Sequence, residues 1–598
     1  MGIADVKELL PVLEHEKIIR SSAEIDALMN SAEVTADQLL YEVLHTRQDY
    51  VVELKVMNES EPELGLAVED LPLEGTLIQI LKKKGINRLY KFQENAIKKI
   101  LQGNDVVITA PTAAGKTEAF CIPIAQKVVE GISRFGSVRD ENGRVYALFI
   151  YPTKALSRDQ LSKITEIVEP MGMRVAILDG DTQEKERKSM IESPPELVIT
   201  NFDVLHYHML HRTKLFQKML TTRFLVVDEA HVYTGVFGAN IHYVLARFER
   251  LAGRKFQIVA ASATLPNAAE FCQTLFGRNM QLVQGAGRRG KINLAIIYPT
   301  LRSNSSLLLD LLREATKRKF RTIIFSNSHL GSELNAFYGA RQGIKIKVHR
   351  AGLLPNLRKR IEEEFKRGKL MALSATSTLE LGIDIGDVDA VISNIVPITR
   401  LTQRVGRAGR RGQQGYAFLA LGNDPISQYY KMHPEDYLVD HEWAYTDPKN
   451  PFVQEHQILA MICDRPLLKA ESSPVAEVVQ KLISRRLVKA VGEMFVADPK
   501  PAMKVLNQYN IRGIGTGVNI KHNKKNIGDR ALPQALEELH QDAIYFLAGR
   551  RYKVQQLHFE RGSQPYAEVY LMPYNYPYYT KALTDEWPSI LHRYDEKI

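Results

Sequence analysis

The 598-residue chain has little cysteine, little tryptophan and no long apolar run. Its three cysteines, Cys121, Cys272 and Cys463, stand far apart, which leaves neither a disulfide framework nor a paired-cysteine zinc pattern. So low a count in so long a chain points to a reducing, cytoplasmic location. Nothing approaches the roughly 20 apolar residues of a membrane-spanning helix. The opening stretch, MGIADVKELLPVLEHEKIIR, has early acids and no apolar core, so it does not read as a secretory leader. Val6 stands where N-myristoylation needs Ser or Thr. Solenoid repeats and low-complexity tracts are also missing.

What is there is globular and basic. Hydrophobic residues at 45% and charged residues at 25% exclude a disordered chain, a collagen and a coiled-coil rod. The 79 Lys+Arg against 69 Asp+Glu leave a net charge of +10, which suits a polyanionic partner and equally a plain basic enzyme. At about 150 residues per domain there is room for about four domains.

Residues 1–65 read as a helical extension without chemistry. From 66 to 285, apolar runs alternate with helical stretches: Asp105–Thr109, Tyr146–Ile150, Val175–Leu178, Leu197–Thr200, Phe224–Val227 and Ile258–Ala260. Runs apolar on both faces are strands of a buried parallel sheet, and the helices between them make a doubly wound α/β lobe. GAGRRG (285–290) is a hinge candidate. A second α/β series fills 286–437, with strands at Thr322–Phe325, Lys345–Val348, Leu370–Leu373, Ala390–Ile392 and Tyr416–Ala420. In 438–500, helical patterns at Gln454–Cys463 and Val475–Arg485 precede the strand pair LVKAVGEMFVAD, a winged-helix order. Residues 501–598 look mainly β.

Chemistry concentrates in three places. After the first strand, APTAAGKT (110–117) matches a phosphate-binding loop except that Ala110 replaces its first glycine. Thr112, Ala113, Ala114 and Gly115 would turn backbone N–H groups toward the phosphates, Lys116 would supply charge, and Thr117 a hydroxyl for Mg²⁺. Phe224–Val227 ends in Asp228-Glu229-Ala230-His231. An acid there, beside such a loop, is placed for Mg²⁺ (Asp228) and its neighbour for the attacking water (Glu229). In the second lobe, Arg404, Arg407 and Arg410 recur every third residue and share a face if helical, with Arg407 and Arg410 placed to act as arginine fingers.

The ordered set Tyr90/Gln93, APTAAGKT, YPTKAL, DEAH, SAT, TSTLELGIDIG and QRVGRAGRRG resembles superfamily 2 helicases of the DExH type. HVYTGVFGANIHYVLARFERL, SATLPNAAEF, HRAGLLPNLRKRIEEEF and QDAIYFLAGRRYKV are similar to the Lhr, MrfA, SftH and Hrq-type DNA helicases. The resemblance implies two RecA-like lobes, ATP and Mg²⁺, and 3′→5′ movement on single-stranded or forked DNA in repair or recombination. RNA, or remodelling without unwinding, remains the alternative. A monomer without membrane association is expected. Relatives of the MrfA kind end in a four-cysteine module for which this chain has no cysteines.

Carried over residue by residue, Gln93 would read adenine with Tyr90 or Phe92 near the base. Glu380, Gly382 and Asp384 would face the ribose or the lobe interface. His231, Ser262, Thr264, Gln403 and Arg404 would couple nucleotide to strand. Thr153, Lys154, Arg158, Gly180, Asp181, Thr200, Asn201, Ser326, Asn327, His349, Arg350, Thr376 and Ser377 would touch the nucleic-acid backbone. Phe202, where the family usually has proline, is a candidate for stacking on a base. Arg485, Arg486 and Lys489 are candidate duplex contacts, as are Lys521, Lys524 and Lys525. Tyr574, Tyr576, Tyr578 and Tyr579 read as β-module packing.

Overall fold

A computed structural model describes residues 11–46, 48–111, 114–134, 144–263, 265–288, 290–380, 382, 384–409, 413–513, 517–559, 564–573 and 576–581. The chain divides into two units, residues 1–350 with 361–513, and residues 351–360 with 514–598.

The first unit holds two doubly wound lobes. In the first, seven parallel strands lie in the order Gln281–Gln284, Val106–Thr109, Gln257–Ser262, Phe224–Val227, Ala147–Ile150, Leu197–Thr200, Val175–Ile177. The inner strands are buried on both faces, as their unbroken Val/Ile/Leu content requires, with one apolar cluster above and one below. In the second lobe, parallel strands run Ile292–Pro299, Gly415–Ala420, Ala390–Asn394, Thr322–Phe325, Ala372–Ala375, Ile346–His349. GAGRRG lies between Gln281–Gln284 and Ile292–Pro299, the connection between the lobes.

The N-terminal segment corrects the sequence reading. It is not helical throughout: Ser22–Ser31 and Gln38–Leu44 are helices, but Asp49–Met57 is a strand pairing antiparallel with Ile292–Pro299. It closes the edge of the second lobe's sheet, which would otherwise expose unpaired backbone. Arg302 grips Asp49, Arg20 donates to the carbonyl oxygens of Val51 and Val52, and Tyr416 donates to Asp37. Residues 49–57 therefore belong to the second lobe in space.

Pro451–Asp464, Ala476–Ser484 and the hairpin Val488–Val491/Met494–Ala497 follow the winged-helix order, and Leu467–Leu468 adds a third short strand. The expected boundary at 500 falls too early. The helix Pro499–Gln508 packs against Pro451–Asp464, burying Ala502 and Leu506, and the first unit runs to 513. These helices sit on Gly235–Ala252, the long helix just after DEAH. There the buried Arg247 guanidinium meets the Asp464 carboxylate at 2.6 and 3.0 Å and Gln457 at 2.9 Å, while Gln457 bonds Asn240 at 2.7 Å.

The second unit is a five-stranded sheet in the order Lys525–Ala531, Gly517–His522, Tyr566–Leu571, Arg550–His558, Ile544–Leu547. Tyr579 packs edge-on against Phe546, while Tyr578 is mostly exposed; Tyr574 lies outside the described residues. Lys521 lies over the Tyr566 ring, and Lys524 occupies a left-handed turn position. Among the described residues no helix is long and apolar enough to cross a membrane.

Two outcomes follow from the buried Arg247 cluster. Arg247→Met should cost about 3–5 kcal/mol by leaving the Asp464 carboxylate buried and unpaired. Adding Asp464→Leu should recover much of that, read as denaturation midpoints. His206 Nδ1 accepts from Arg247 at 3.2 Å, and burial, then the Arg247 charge, push its pKa down to about 3. The folded protein thus binds fewer protons than the unfolded chain between there and the ordinary value of 6.5. That stability is complete above 6.5 and is lost as pH falls. His206→Asn should flatten the stability–pH slope in this window by up to about 1.4 kcal/mol per pH unit.

Candidate active site and strand-binding face

The phosphate-loop pattern begins as the strand Val106–Thr109 ends and leads into the helix Lys116–Arg134. Gly115 has φ +89, and a Cβ on it would lie 2.4 Å from Gln93 Nε2, so both backbone and space demand glycine. Gln93 spans the loop's base: its amide donates to Gly115 O at 2.9 Å and accepts from Tyr90 N at 2.9 Å. The Lys116 ammonium donates to the carbonyl oxygens of Ala110 at 2.7 Å and Pro111 at 3.3 Å. Thr117 Oγ1 donates to Gln160 Oε1 at 2.9 Å. Gln160, buried on the helix Lys154–Val168, was not singled out from the sequence; a lone Gln in YPTKALSRDQ carries no signal of its own. Phe92 is buried, and its ring stands where a Cβ on Gly285 would be, so it is core and not a stacking platform. Tyr90 remains half-buried. Thr112 and Ala113 lie outside the described residues.

Two strands away in the sheet, Phe224–Val227 delivers Asp228 and Glu229, both buried. Asp228 accepts from the Glu229 N–H at 2.8 Å, and Glu229 sits in left-handed backbone, φ 50 and ψ 46. A non-glycine residue there is strained, and strain of this kind gathers at functional sites. Burial, then the Glu229 charge, push Asp228 up to about 7. Burial acts on Glu229 in the same sense, yet its carboxyl is held below the usual range by Lys116, His231, Arg407 and the Gly382 N–H. Burial pushes His231 down, and its Nδ1 accepts from the Ala263 N–H at 3.2 Å, with Ser262 Oγ at 3.4 Å. That acceptor role puts the proton of the neutral ring on Nε2. DEAH and SAT are thus bonded through His231; Thr264 lies outside the described residues.

The second lobe reaches this carboxylate through Gly382, where a Cβ would lie 3.3 Å from Glu229 Oε1. Behind it Glu380 gathers the arginines. Arg400 and Arg404 bond its carboxylate at 2.7–3.1 Å, and Arg407 donates to its carbonyl oxygen at 2.7 Å. Arg404 also donates to Ser393 and Asn327. The expected common helical face does not form. The helix Ile398–Val405 stops before Arg407, and Arg410 lies outside the described residues. Gln403 lines a cavity of about 280 Å³ with Pro111 and Ala263. Asp384 does not join this cluster: it pairs with Lys366 at 3.0 Å and caps Gly386.

The strand-face candidates are brought together by topology. Thr153, Gly180 and Thr200–Asn201 follow three adjacent parallel strands of the first lobe. Ser326–Asn327, His349–Arg350 and Thr376–Ser377 follow or end the corresponding three of the second. All stand at carboxyl ends of their strands, where ligands of α/β sheets bind. Thr153 and Asn201 cap the next helices, and Thr200 is buried. Lys154 and Arg158 both bond Asp181, which Lys154 above all holds below the usual carboxylate range. Three expectations are corrected. His349 is buried between Thr378 and Glu362, and Arg350 is buried on Glu333 and His329, so these side chains face inward. Phe202 is core, edge-on to Tyr233 at 5.1 Å, because the helix Phe202–Leu210 turns it under the sheet. Arg485 is paired with Glu455, whereas Arg486 and Lys489 are exposed.

Residues 90–271 match the DEAD/DEAH box helicase family, and residues 303–412 the helicase conserved C-terminal domain. The chain is 29% identical to the ATP-dependent helicase YprA of Bacillus subtilis, over 84% of this chain and 69% of that one. It is 27% identical to the ATP-dependent helicase hrq1 of Schizosaccharomyces pombe, over 82% of this chain and 49% of that one. Among solved structures, the DUF1998 helicase MrfA bound to DNA and AMPPNP superposes with a TM-score of 0.78 at 27% identity, covering 90% of this chain and 77% of that one. The chain carries both helicase domains and is similar to the Lhr, MrfA and Hrq-type ATP-dependent helicases of superfamily 2. It spans about half the length of hrq1 and about two thirds of YprA. The two matched domains are the two α/β lobes, and Gly382 of the second meets the buried Glu229 carboxylate of the first.

Gly382→Ala tests that meeting point. The added methyl would press on Glu229 Oε1 and shift it by a few tenths of an ångström, so kcat for ATP hydrolysis should fall roughly tenfold, about 1.4 kcal/mol. Melting temperature should stay near wild type.

Proposed function

We propose that the chain is a DNA helicase that moves 3′→5′ on single-stranded DNA, separates tailed or forked duplexes, and works in repair or recombination. The likeness over 90% of the chain to MrfA, whose structure was solved on DNA with AMPPNP, carries this reading. The placement of backbone N–H and small polar groups at the strand ends of both lobes supports it, since such groups hold phosphates without reading sequence.

In this mechanism the Gly115–Thr117 turn and the Lys116 ammonium hold the β- and γ-phosphates of ATP. Lys116 exchanges its carbonyl partners, Ala110 and Pro111, for phosphate oxygens. Glu229, kept ionised, orients the attacking water and takes its proton. Arg407, with Arg410 three residues on, stabilises charge on the transferred phosphoryl group. Magnesium fits the donor set: one buried carboxylate, Asp228, and one hydroxyl, Thr117, with phosphate oxygens and waters completing the shell. When bound it neutralises charge on the phosphates. Among the described residues no cluster of three or more His, Cys, Asp or Glu offers a metal site independent of the nucleotide. Loss of the γ-phosphate removes what the second-lobe arginines grip. The lobes then part, and their alternating hold advances the protein along one strand.

The deciding measurement is steady-state ATP hydrolysis with matched single-stranded DNA, single-stranded RNA and blunt duplex, followed by unwinding of 3′- and 5′-tailed duplexes. Stimulation by single-stranded DNA and unwinding from a 3′ tail are expected. Greater stimulation by RNA overturns the substrate, and unwinding from a 5′ tail overturns the direction. Lys116→Ala and Glu229→Gln should abolish hydrolysis while strand affinity changes less than about threefold, under ~0.7 kcal/mol.

A further inference from the structure

Between the helix Pro434–Val439, the last of the second lobe, and the helix Pro451–Asp464, the chain is fastened to the first lobe by its backbone. The Asn267 side chain holds Ala444 from both sides, donating to its carbonyl oxygen at 2.8 Å and accepting from its N–H at 3.1 Å. The Tyr445 carbonyl accepts from Gly235 N at 2.7 Å, and the Thr446 hydroxyl donates to Gly235 O at 3.0 Å. Burial alternates along this stretch: Trp443 is 69% exposed, Ala444 8%, Tyr445 71% and Thr446 3%. In an extended chain, residues two apart lie on one side about 6–7 Å from each other. The fastening therefore turns an indole and a phenol outward as a fixed pair. They wall a groove of about 770 Å³ whose other side is formed by His242, Phe271 and Thr274 of the helices Gly235–Ala252 and Ala268–Phe276.

Charge decides what suits this groove. The whole chain is at +10, yet residues 432–448 contain five acids and no Lys or Arg. Glu442 and Asp447 flank the aromatic pair, and Glu270 stands on the groove wall, against Lys449 as the one cation lining it among the described residues. A phosphate backbone is repelled here. A guanidinium or ammonium is drawn both by the carboxylates and by the faces of Trp and Tyr. None of the residues given a role in ATP hydrolysis or strand contact lies in this segment.

We propose that Trp443 and Tyr445 form a docking site for an extended, Arg- or Lys-bearing segment of a partner protein. The cation lies against the aromatic pair and its flanking acids, and a neighbouring apolar side chain enters the groove. Fluorescence polarisation on the full chain tests this with three labelled probes: a short peptide alternating Arg and Leu, its counterpart alternating Glu and Leu, and an oligothymidine strand. The Arg–Leu peptide should bind about tenfold tighter than the Glu–Leu peptide, ~1.4 kcal/mol. W443A/Y445A should lose about fivefold or more of that affinity, ~1 kcal/mol. E442Q/D447N, which keeps the rings and the Asp447 turn acceptor, should lose a similar part. Oligothymidine affinity and strand-stimulated hydrolysis should stay at wild-type values in both variants, and thermal melts report that each is folded. Equal binding of the two peptides, or Arg–Leu binding unmoved in both variants, overturns the proposal. Loss of oligothymidine affinity in W443A/Y445A also overturns it, by assigning the pair to base stacking.

Discussion

The first unit depends on one buried negative charge. Glu229 lies just past the carboxyl end of a buried parallel strand, in left-handed backbone, where burial pushes its pKa up. Its carboxyl is nevertheless held below the usual range by groups of both lobes: Lys116 and the His231 ring from the first, Arg407 and the Gly382 N–H from the second. Groups of both lobes thus converge on one buried carboxylate, Lys116 of the first lobe first among them.

The remaining buried charges follow the same logic of shared partners. Glu380 holds three arginines of the second lobe, Arg400 and Arg404 on its carboxylate and Arg407 on its carbonyl oxygen, so Arg407 is placed by one residue rather than by helix geometry. Arg247 does the converse on the far side of the first lobe, where one guanidinium joins Asp464, Gln457 and His206. The winged-helix-like helices pack on this same helix, Gly235–Ala252, which begins just after DEAH.

Much of this was legible in the sequence for a physical reason. Phe224–Val227 and Leu197–Thr200 were placed to the residue because a strand buried on both faces must be apolar throughout, and the polar residues at its ends mark where it leaves the sheet. The phosphate loop and DEAH were legible because their spacing is local. Asp49–Met57 was missed although Glu53-Leu54-Lys55-Val56 alternates, because an edge strand is recognised by its partner, and that partner lies far along the chain. Phe202 and His349 look like candidate strand contacts in the sequence because a motif states order along the chain and says nothing of which way a side chain turns.

The amino-acid order by itself determined the two α/β series, the loop–strand–acid engine, and the ends of the strands where ligands gather, since each rests on interactions within a few residues. Only the tertiary structure decided that Gly382 touches Glu229, that Gln160 holds Thr117, that Asp49–Met57 completes the second lobe's sheet, and that Arg247 locks to Asp464. These are pairings between residues 43 to 250 apart along the chain. Local propensity says nothing about them, because each is chosen by which buried charge or open sheet edge remains unsatisfied once the layers have packed.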